Sequence, residues 1–498
     1  MTAVPRLSIL TRSALPGTVT RPAVDRANCG IGIVHLGVGA FMRAHVAMYC
    51  DDAMARDGGN WGIAGVSLRQ RTVYDQLNPQ DCLYTVAVRD DANTQFALVE
   101  AIRSIHVAPE DPGNVLRLLS DPNVRIVTLT ITEKGYCLDP DSGDLDLDHK
   151  DIAHDLAHLD APRSAIGFIV AALRARFTEG APPVSLLSCD NLPANGARLR
   201  AGVLRFAREI DADLAERIEK EITFPATMVD RIVPATTADD LDAARAVLGC
   251  RDEALVKTEP FRQWVIEDRF ASGRPGWDAG GAMFVPDVAP YETAKLRLLN
   301  GAHSSLAYLG YLAGYEYVHD VMQSKHFVNF LRYLMTREIS PVTPAPPGMA
   351  HAQYIEALLQ RFSNAALEHR TWQIAMDGSQ KLPQRLLNTA RQQLRTGGPV
   401  AGIGLAIAAW MRYALGRDES GSAIDVRDPL AARFSEIAAQ HPHESDSIVE
   451  RFFGIEEIFG NDLSRDARFS AIVSGALRKL LEKGSAATVQ EFANTGIS

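Results

Sequence analysis

A lysine, an asparagine and a histidine lie within the segment Tyr291 to Ser304, whose sequence is YETAKLRLLNGAHS. On an α-helix with Lys295 at zero, His303 falls at about 80° and Asn300 at about 140°, so the three side chains face one side. A lysine whose pKa falls on burial suits the base of an alcohol oxidation and the acid of the reverse reduction. Asn300 suits polarisation of a carbonyl, and His303 suits a bond to a neighbouring hydroxyl. The spacing is compatible with this chemistry and also with an ordinary solvated helix face.

Two further segments carry polar groups that suit the same chemistry. Asn191, in the string SCDNLP, follows the apolar run Val184 to Ser188, which predicts a strand. Open α/β sheets bind ligands at the carboxyl ends of their strands, so Asn191 is a candidate second amide donor. Asp230 precedes Arg231 in FPATMVDRIVP, where a structural ion pair is the alternative to a role in a site.

A glycine turn near the start of the chain indicates a dinucleotide site. The apolar run Ile31 to Leu36 predicts a buried strand, and a G-x-G pair and a helix-like stretch follow it. Glycines allow the tight turn and the close approach of a pyrophosphate, although Met42 stands where a third glycine is expected. A turn without a ligand is the alternative. The predicted cofactor-binding residues are Gly37, Val38, Gly39, Ala40, Phe41, Arg43 and Arg69.

The end of the second predicted strand bears on the choice of cofactor. An acidic residue that would bind the adenosine ribose is expected there, but the sequence reads Ser67-Leu68-Arg69-Gln70-Arg71. Arginine forks match phosphate geometry, so NADP(H) stays open beside NAD(H).

The arrangement of apolar runs predicts the elements that position these groups. Strand-like runs at Ile31 to Leu36, Trp61 to Leu68 and Val124 to Ile131 alternate with helical periodicity. This alternation predicts an α/β domain of the Rossmann type with a parallel, doubly wound sheet, over residues 1–285. Helical spacing dominates afterwards, which predicts a mostly α-helical domain over residues 286–498.

Composition and charge exclude several classes of protein. The chain has 498 residues, of which 46% are hydrophobic and 22% charged, and its net charge is −10. This mixture argues against a largely disordered chain, and the negative charge argues against nucleic-acid or membrane partners. If the substrate is an anion, the cations that receive it must therefore be concentrated locally.

The cysteine and histidine spacings predict neither a disulfide framework nor a metal site. Six cysteines are scattered without CxxC spacing, and no secretory signal is seen, so we expect free thiols and a cytoplasmic protein. His149, His154 and His158 are interleaved with Asp and Lys, which indicates a solvated helix face, and we expect no metal.

Blocks spread over most of the chain resemble one family. The strings HLGVGAFMRAH, LTITEKGYC, SCDNLPANG, FPATMVDRIVP, EPFRQWVIED, KLRLLNGAHSSLAYLGYL and HRTWQIAMDGSQKLPQR occur in order from about residue 30 to residue 390. Together they resemble the polyol-specific long-chain dehydrogenases, the mannitol dehydrogenase family. The resemblance implies a Rossmann-type domain, a helical C-terminal domain and metal-independent hydride transfer.

The same resemblance implies roles for the residues singled out above. It makes Lys295 the general acid/base and gives Asn191 and Asn300 the stabilisation of the reacting oxygen. His303 would orient the substrate, and Asp230 would support polar contacts.

Further positions follow from the resemblance and from its departures. Glu292 matches a residue of a proton path, and Lys381 matches a substrate-binding position. Mannitol 2-dehydrogenases carry an arginine where this chain has Gln373, and a GGY triplet where it has Lys134-Gly135-Tyr136. These departures resemble the fructuronate reductase branch, whose substrate carries a carboxylate. We expect an added cation to bind it, with Lys134, Arg370 and Lys381 as candidates.

The expected function is therefore NAD(P)-dependent reduction of D-fructuronate to D-mannonate in hexuronate catabolism. A mannitol 2-dehydrogenase or related polyol dehydrogenase is the alternative, and a non-catalytic dinucleotide-binding sensor is a third. The expected partner is a small sugar acid or polyol, and the protein is expected to be a monomer or a small homo-oligomer.

Overall fold

The computed structural model describes residues 4–90, 93–139, 142–440 and 444–495. The chain divides into two compact units, Met1–Ala289 and Pro290–Ser498. They are called the N-terminal and the C-terminal unit.

The N-terminal unit contains strands and helices in alternation. Its strands are β1 (Ile31–Leu36), β2 (Gly62–Ser67), β3 (Tyr84–Arg89), β4 (Thr94–Val99), β5 (Ile102–Val107), β6 (Ile126–Leu129), β7 (Ser185–Ser188), β8 (Thr227–Asp230), β9 (Val256–Thr258), β10 (Gln263–Glu267) and β11 (Met283–Val285). Its helices are α1 (Ala40–Ala44), α2 (Val46–Asp57), α3 (Thr72–Leu77), α4 (Pro112–Ser120), α5 (Lys150–Ala157), α6 (Ala165–Glu179), α7 (Asn195–Ile210), α8 (Ala212–Glu221) and α9 (Ala238–Leu248).

Five of these strands form a parallel sheet in the order β5-β2-β1-β6-β7. Both faces of the sheet are buried, because successive residues of β1 enter different apolar clusters: Ile33 packs with one, Val34 and Leu36 with the other. This two-sided burial explains why the strand sequences read as continuous apolar runs. The Rossmann-type, doubly wound fold predicted for this part of the chain is confirmed.

Two smaller sheets complete the unit. One has the order β11-β10-β8, with β10 parallel to β11 and antiparallel to β8; the other has the order β4-β3-β9. The strand β8 matters for the candidate site because Asp230 is its last residue.

The C-terminal unit is helical, and no strand is assigned among its described residues. Its α-helices are α10 (Ala289–Ala294, which begins one residue before the unit), α11 (Ala302–Leu312), α12 (Val318–Met322), α13 (Lys325–Tyr333), α14 (His351–Phe362), α15 (Thr371–Ala375), α16 (Gly378–Leu382), α17 (Asn388–Arg395), α18 (Ala401–Ala414), α19 (Ala431–Gln440), α20 (Ser445–Phe453), α21 (Glu456–Leu463) and α22 (Ala467–Thr495). Three π-helical segments lie at Lys295–Gly301, Leu334–Ile339 and Pro383–Leu387.

Helix α18, AGIGLAIAAWMRYA, is buried on nearly all sides and packs against both α11 and α22. A helix that is apolar all round belongs in the centre of a helical core, so α18 organises the unit. Short 3₁₀ turns complete the chain at Arg12–Ala14, Asn78–Gln80, Glu133–Tyr136, Trp277–Gly280, Ser340–Val342 and Ala365–Leu367. Among the described helices, none combines the length and apolar composition that a bilayer crossing requires.

Candidate active site

The turn after β1 is built around one obligatory glycine. Gly37 has φ +93°, and a Cβ on it would lie 2.2 Å from the carbonyl oxygen of Thr130. Any side chain would therefore clash with the end of β6. Gly39, at the start of α1, has open space where its Cβ would point, so a ligand can approach its backbone closely.

A cavity of about 300 Å³ opens at this turn. Its walls come from the residues that follow β1, β2 and β6, and they include Gly37, Val38, Gly39, Arg69, Thr132 and Gly135. The strand order reverses between β1 and β6, which is where open α/β sheets bind nucleotides. The glycine turn and the cavity together fit a dinucleotide.

Only some of the predicted cofactor-binding residues are among those that line the cavity. Ala40 and Phe41 begin α1, where the ring of Phe41 stacks on His45 at 4.8 Å. Arg43 is buried and donates to the carbonyl of Ala254 at 2.6 Å, so the structure does not bring its guanidinium into the cavity.

The two arginines after β2 also differ. Arg69 lines the cavity with 65% of its side chain exposed, and it pairs with Asp151 at 3.3 Å. Arg71 is bound by Asp75 and Glu110, each within 2.8 Å. A cationic side chain thus stands where an acidic ribose ligand was expected from the fold.

A carboxylate outside the predicted set holds the loop after β6. The Asp190 carboxylate accepts bonds from the backbone N–H groups of Ile131 at 3.0 Å and Thr132 at 2.9 Å, and from the hydroxyl of Tyr136 at 2.8 Å. Thr132 has φ +63°, an unusual conformation for a β-branched residue. Burial raises the pKa of Asp190, and the three donors oppose this shift. We call this arrangement the Asp190 clamp.

Sequence reasoning missed the clamp, although Asp190 directly precedes Asn191. Asn191 itself lies exposed after β7. Lys134, in the 3₁₀ turn that the clamp anchors, is also exposed. Asp230 is buried at the end of β8, while its neighbour Arg231 donates to the carbonyl of Glu259 at 3.0 Å. Burial lowers the pKa of Arg231 to about 10.

The lysine and asparagine of the C-terminal unit lie on a π-helix. Lys295 begins this segment and Asn300 is near its end, with 7% and 9% of their surfaces exposed. The expected α-helical angle of about 140° between them is therefore wrong, because the wider i→i+5 turn reduces the angle between residues five apart. The π-helical turn brings Asn300 onto the Lys295 side of the helix, and such turns frequently occur at functional sites.

His303 follows in α11 and is enclosed by rings and cations. Its ring stacks on Phe362 at 5.0 Å and meets His369 edge-on at 4.8 Å. Its Nε2 atom is buried and has no hydrogen-bond partner in the part of the chain that the structure describes. Burial, and then the basic neighbours His369, Arg385, Arg361 and Lys381, hold the pKa of His303 well below its usual value. A neutral imidazole is thus available to a substrate hydroxyl.

The remaining predicted residues of this unit differ in burial and in their partners; they are Lys381, Glu292, Arg370 and Gln373. Lys381 donates to the carbonyl of Met376 at 2.6 Å, and its pKa is lowered mainly by burial. Glu292 is half-buried in α10, three residues before Lys295, so the two are neighbours along the helix. Arg370 is 52% exposed and paired with Glu316 at 2.8 Å, and Gln373 is exposed on α15.

Comparisons with known proteins cover nearly the whole chain. The family model for the mannitol dehydrogenase Rossmann domain matches residues 31–279, and that for the mannitol dehydrogenase C-terminal domain matches residues 287–481. The D-mannonate oxidoreductase of Escherichia coli K12 is 44% identical over 483 residues, which are 96% of this chain and 99% of that protein.

Two solved structures match with nearly complete coverage. The ternary complex of Pseudomonas fluorescens mannitol 2-dehydrogenase with NAD and D-mannitol has a TM-score of 0.85 at 36% identity, covering 98% of this chain and 100% of that one. A substrate-free D-sorbitol dehydrogenase has a TM-score of 0.90 at 32% identity, covering 97% and 100%.

Proposed function

The chain belongs to the mannitol dehydrogenase family of oxidoreductases, and we propose that it reduces D-fructuronate to D-mannonate, reversibly and with NAD(H). The observation that carries this choice of substrate is the group of cations near His303, which includes Arg385, Arg361 and Lys381. A uronate brings a carboxylate to such a site, whereas a neutral polyol leaves the cations uncompensated. The identity to a D-mannonate oxidoreductase supports the same choice.

In the proposed mechanism the C-terminal unit supplies the acid. NADH, when bound, supplies the hydride that the C5 carbonyl carbon accepts. Lys295 delivers a proton to the oxygen of that carbonyl, and its burial favours the loss of charge that this transfer requires. The amides of Asn300 and Asn191 donate to the oxygen as its negative charge develops.

The other proposed roles surround this proton transfer. His303 binds a neighbouring hydroxyl through its Nε2 atom, and Asp230 supports polar contacts of the substrate. Glu292, three residues before Lys295, passes the proton between solvent and the lysine. Residues 1–285 hold the dinucleotide and residues 286–498 carry the lysine.

The choice of NAD rests on the neighbour solved with that cofactor and on the glycine turn. Arg69 at the cavity favours NADP(H) as the second candidate, because a guanidinium binds a 2′-phosphate well. The six free cysteines and the negative charge support a cytoplasmic location.

A mannitol-type polyol dehydrogenase is the second candidate for the function. The structural match to the mannitol complex over 98% of the chain favours it. Gln373 argues against it, because the resemblance places an arginine there in mannitol 2-dehydrogenases.

Steady-state kinetics test the proposal. Initial rates of NADH and NADPH oxidation are measured with fructuronate and with fructose. We expect kcat/KM to be at least about tenfold higher for fructuronate, since one charge-assisted hydrogen bond contributes about 1.5–3 kcal/mol. A preference for fructose would contradict the proposed substrate and favour the polyol dehydrogenase.

A further inference from the structure

Arg385 lies on the π-helix Pro383–Leu387, which packs against the π-helix of the lysine and asparagine. The contact is close: a Cβ on Gly301 would lie 2.9 Å from the carbonyl oxygen of Arg385. Only a glycine lets the two backbones approach this far. Gly301 follows Asn300 directly, so the contact fixes Arg385 beside the catalytic segment.

Among the described residues, the guanidinium of Arg385 has one hydrogen-bond partner. It donates through Nη1 to the Ser304 hydroxyl at 2.9 Å, and Ser304 is the residue after His303. No carboxylate forms an ion pair with it among the described residues, whereas Arg391, on the next helix, is paired with Asp462 at 2.8 Å. A guanidinium carries five N–H donors in a fork that matches a carboxylate, so most of the capacity of Arg385 is unused by the protein.

The surroundings of Arg385 add positive charge. Lys381 lies four residues earlier, and Arg385 is the main charged neighbour that lowers the pKa of Lys381. Both groups also lower the pKa of His303. Arg385 and Lys381 therefore repel each other, Asp377 compensates part of this charge at Lys381, and an anion bound beside Arg385 would reduce the repulsion further.

We propose that Arg385 binds the carboxylate of the substrate and is the residue that selects a sugar acid over a neutral polyol or ketose. This inference rests on the proposed function and adds to it the receptor of the substrate's charge. In fructuronate the carboxylate is separated from the reacting carbonyl by a chain of three carbons, so a receptor beside the helix of Lys295 and His303 suits its length. Ser304 orients the guanidinium through the hydrogen bond that its hydroxyl accepts from Arg385.

Arg385 fits this role better than the cations that sequence patterns suggest. Lys134 is an exposed lysine on a 3₁₀ turn, and Arg370 already has Glu316 as its partner. The ammonium group of Lys381 lies 3.8 Å from the Asp377 carboxylate and donates to the carbonyl of Met376. Arg385 combines partial burial with the absence of a carboxylate partner in the described chain.

The test compares two substrates in three variants. Arg385→Gln removes the charge, Arg385→Lys keeps it without the fork, and Arg391→Gln is the matched control on the neighbouring helix. We expect Arg385→Gln to lower kcat/KM for fructuronate about 10- to 100-fold, chiefly through KM, and to change kcat/KM for fructose less than about threefold. Arg385→Lys should fall between the wild type and Arg385→Gln, and Arg391→Gln should match the wild type.

An equal loss on both substrates, or no loss on fructuronate, would overturn the inference. If Arg385→Gln fails to fold, as judged by circular dichroism and NADH binding, Arg385→Lys decides by the same ratio of the two substrates. A wild-type enzyme that does not reduce fructuronate contradicts the proposed function instead. Calorimetric titration of the wild-type enzyme with mannonate and with mannitol, in the presence of NADH, then tests the anion site alone: mannonate must bind more tightly, and equal binding would overturn it.

Discussion

The loop after β6 and the surroundings of His303 handle charge in opposite ways. In the N-terminal unit, the Asp190 carboxylate is satisfied by two backbone N–H groups and one hydroxyl. In the C-terminal unit, the cations Arg385, Arg361 and Lys381 lie near His303, and no carboxylate within the described residues pairs with Arg385. In the first region, donors of the protein itself compensate the charge of the carboxylate. In the second, we propose that the carboxylate of a substrate compensates the cations.

The two regions also differ in how the backbone is shaped. The cofactor turn is dictated by Gly37, whose positive φ and close approach to Thr130 admit no side chain. The segment of Lys295 and Asn300 is a π-helix, and Gly301 lets it pack closely against Arg385. Both features involve residues that are far apart in the chain, but only the first is marked in the sequence, by its G-x-G pair.

The largest effect is expected from loss of the proposed proton donor, which should slow the chemical step and leave cofactor binding unchanged. Lys295→Ala should lower kcat about 10²- to 10⁴-fold, because it removes the proton donor, while the dissociation constant of NADH stays near its wild-type value. The matched control is Lys325→Ala, at an exposed lysine of α13, which should keep full activity. Substantial turnover in Lys295→Ala would remove the lysine from the mechanism.

The next effect concerns the cofactor turn. Gly37→Ala should destabilise the protein by at least about 2 kcal/mol, because alanine must adopt φ +93° and its methyl group meets the Thr130 carbonyl. Gly39→Ala should leave the unfolding temperature nearly unchanged and weaken NADH binding, because its methyl group enters open space on the approach of the cofactor. Thermal unfolding and fluorescence titration with NADH measure both. Equal unfolding temperatures for the two variants would disprove the distinction.

A smaller effect tests the Asp190 clamp. Asp190→Asn places an amide NH₂ against one of the two backbone donors and should cost about 1–3 kcal/mol, with weaker NADH binding. Tyr136→Phe removes a hydroxyl that bonds both Asp190 and Ser188, and each lost bond should cost about 0.5–1.5 kcal/mol. Denaturant unfolding and NADH titration compare them. If Asp190→Asn binds NADH as tightly as the wild type does, the Asp190 clamp does not contribute to cofactor binding.

At neutral pH no effect is expected from the last test, which concerns a pH dependence in the N-terminal unit. Burial lowers the pKa of His35 to about 3, and its Nδ1 atom bonds the Thr128 hydroxyl at 2.7 Å. The folded state therefore prefers the neutral ring: this contribution is present above pH 6.5 and is lost as the pH falls from 6.5 towards 3, by at most about 1.4 kcal/mol per pH unit. His35→Gln should flatten the fall in unfolding free energy between pH 6.5 and 4.5. His158→Gln, at an exposed ring, should retain the wild-type slope, and an unchanged slope in His35→Gln would refute the assignment.

The sheet could be predicted from sequence because both of its faces are buried. The run Ile31 to Leu36 is the strand β1 with the same limits, and the predicted runs Trp61 to Leu68 and Val124 to Ile131 contain β2 and β6. Continuous apolar runs mark such strands well. The two small sheets were not predicted: three of their strands, β8, β9 and β11, have only three or four residues, which is too short for a periodic pattern to show.

The details of the candidate site depended on contacts that sequence spacing does not contain. The expected angle of about 140° between Lys295 and Asn300 assumes an α-helix, and the π-helical turn changes this angle. Arg43 and Arg385 are both arginines near a predicted site, yet the first is bound by the Ala254 carbonyl, whereas the described residues offer the second a single hydroxyl, that of Ser304. Burial and partners decide between a structural cation and one that binds a ligand, and both come from tertiary packing.

Transfer of deuterium from labelled cofactor tests the central claim most directly. The enzyme is incubated with fructuronate and NADH that carries deuterium at both C4 positions of the nicotinamide, and the product is examined by mass spectrometry and NMR. The account predicts D-mannonate with one deuterium, located at C5. Absence of labelled mannonate, while fructose under the same conditions becomes labelled polyol, would contradict it.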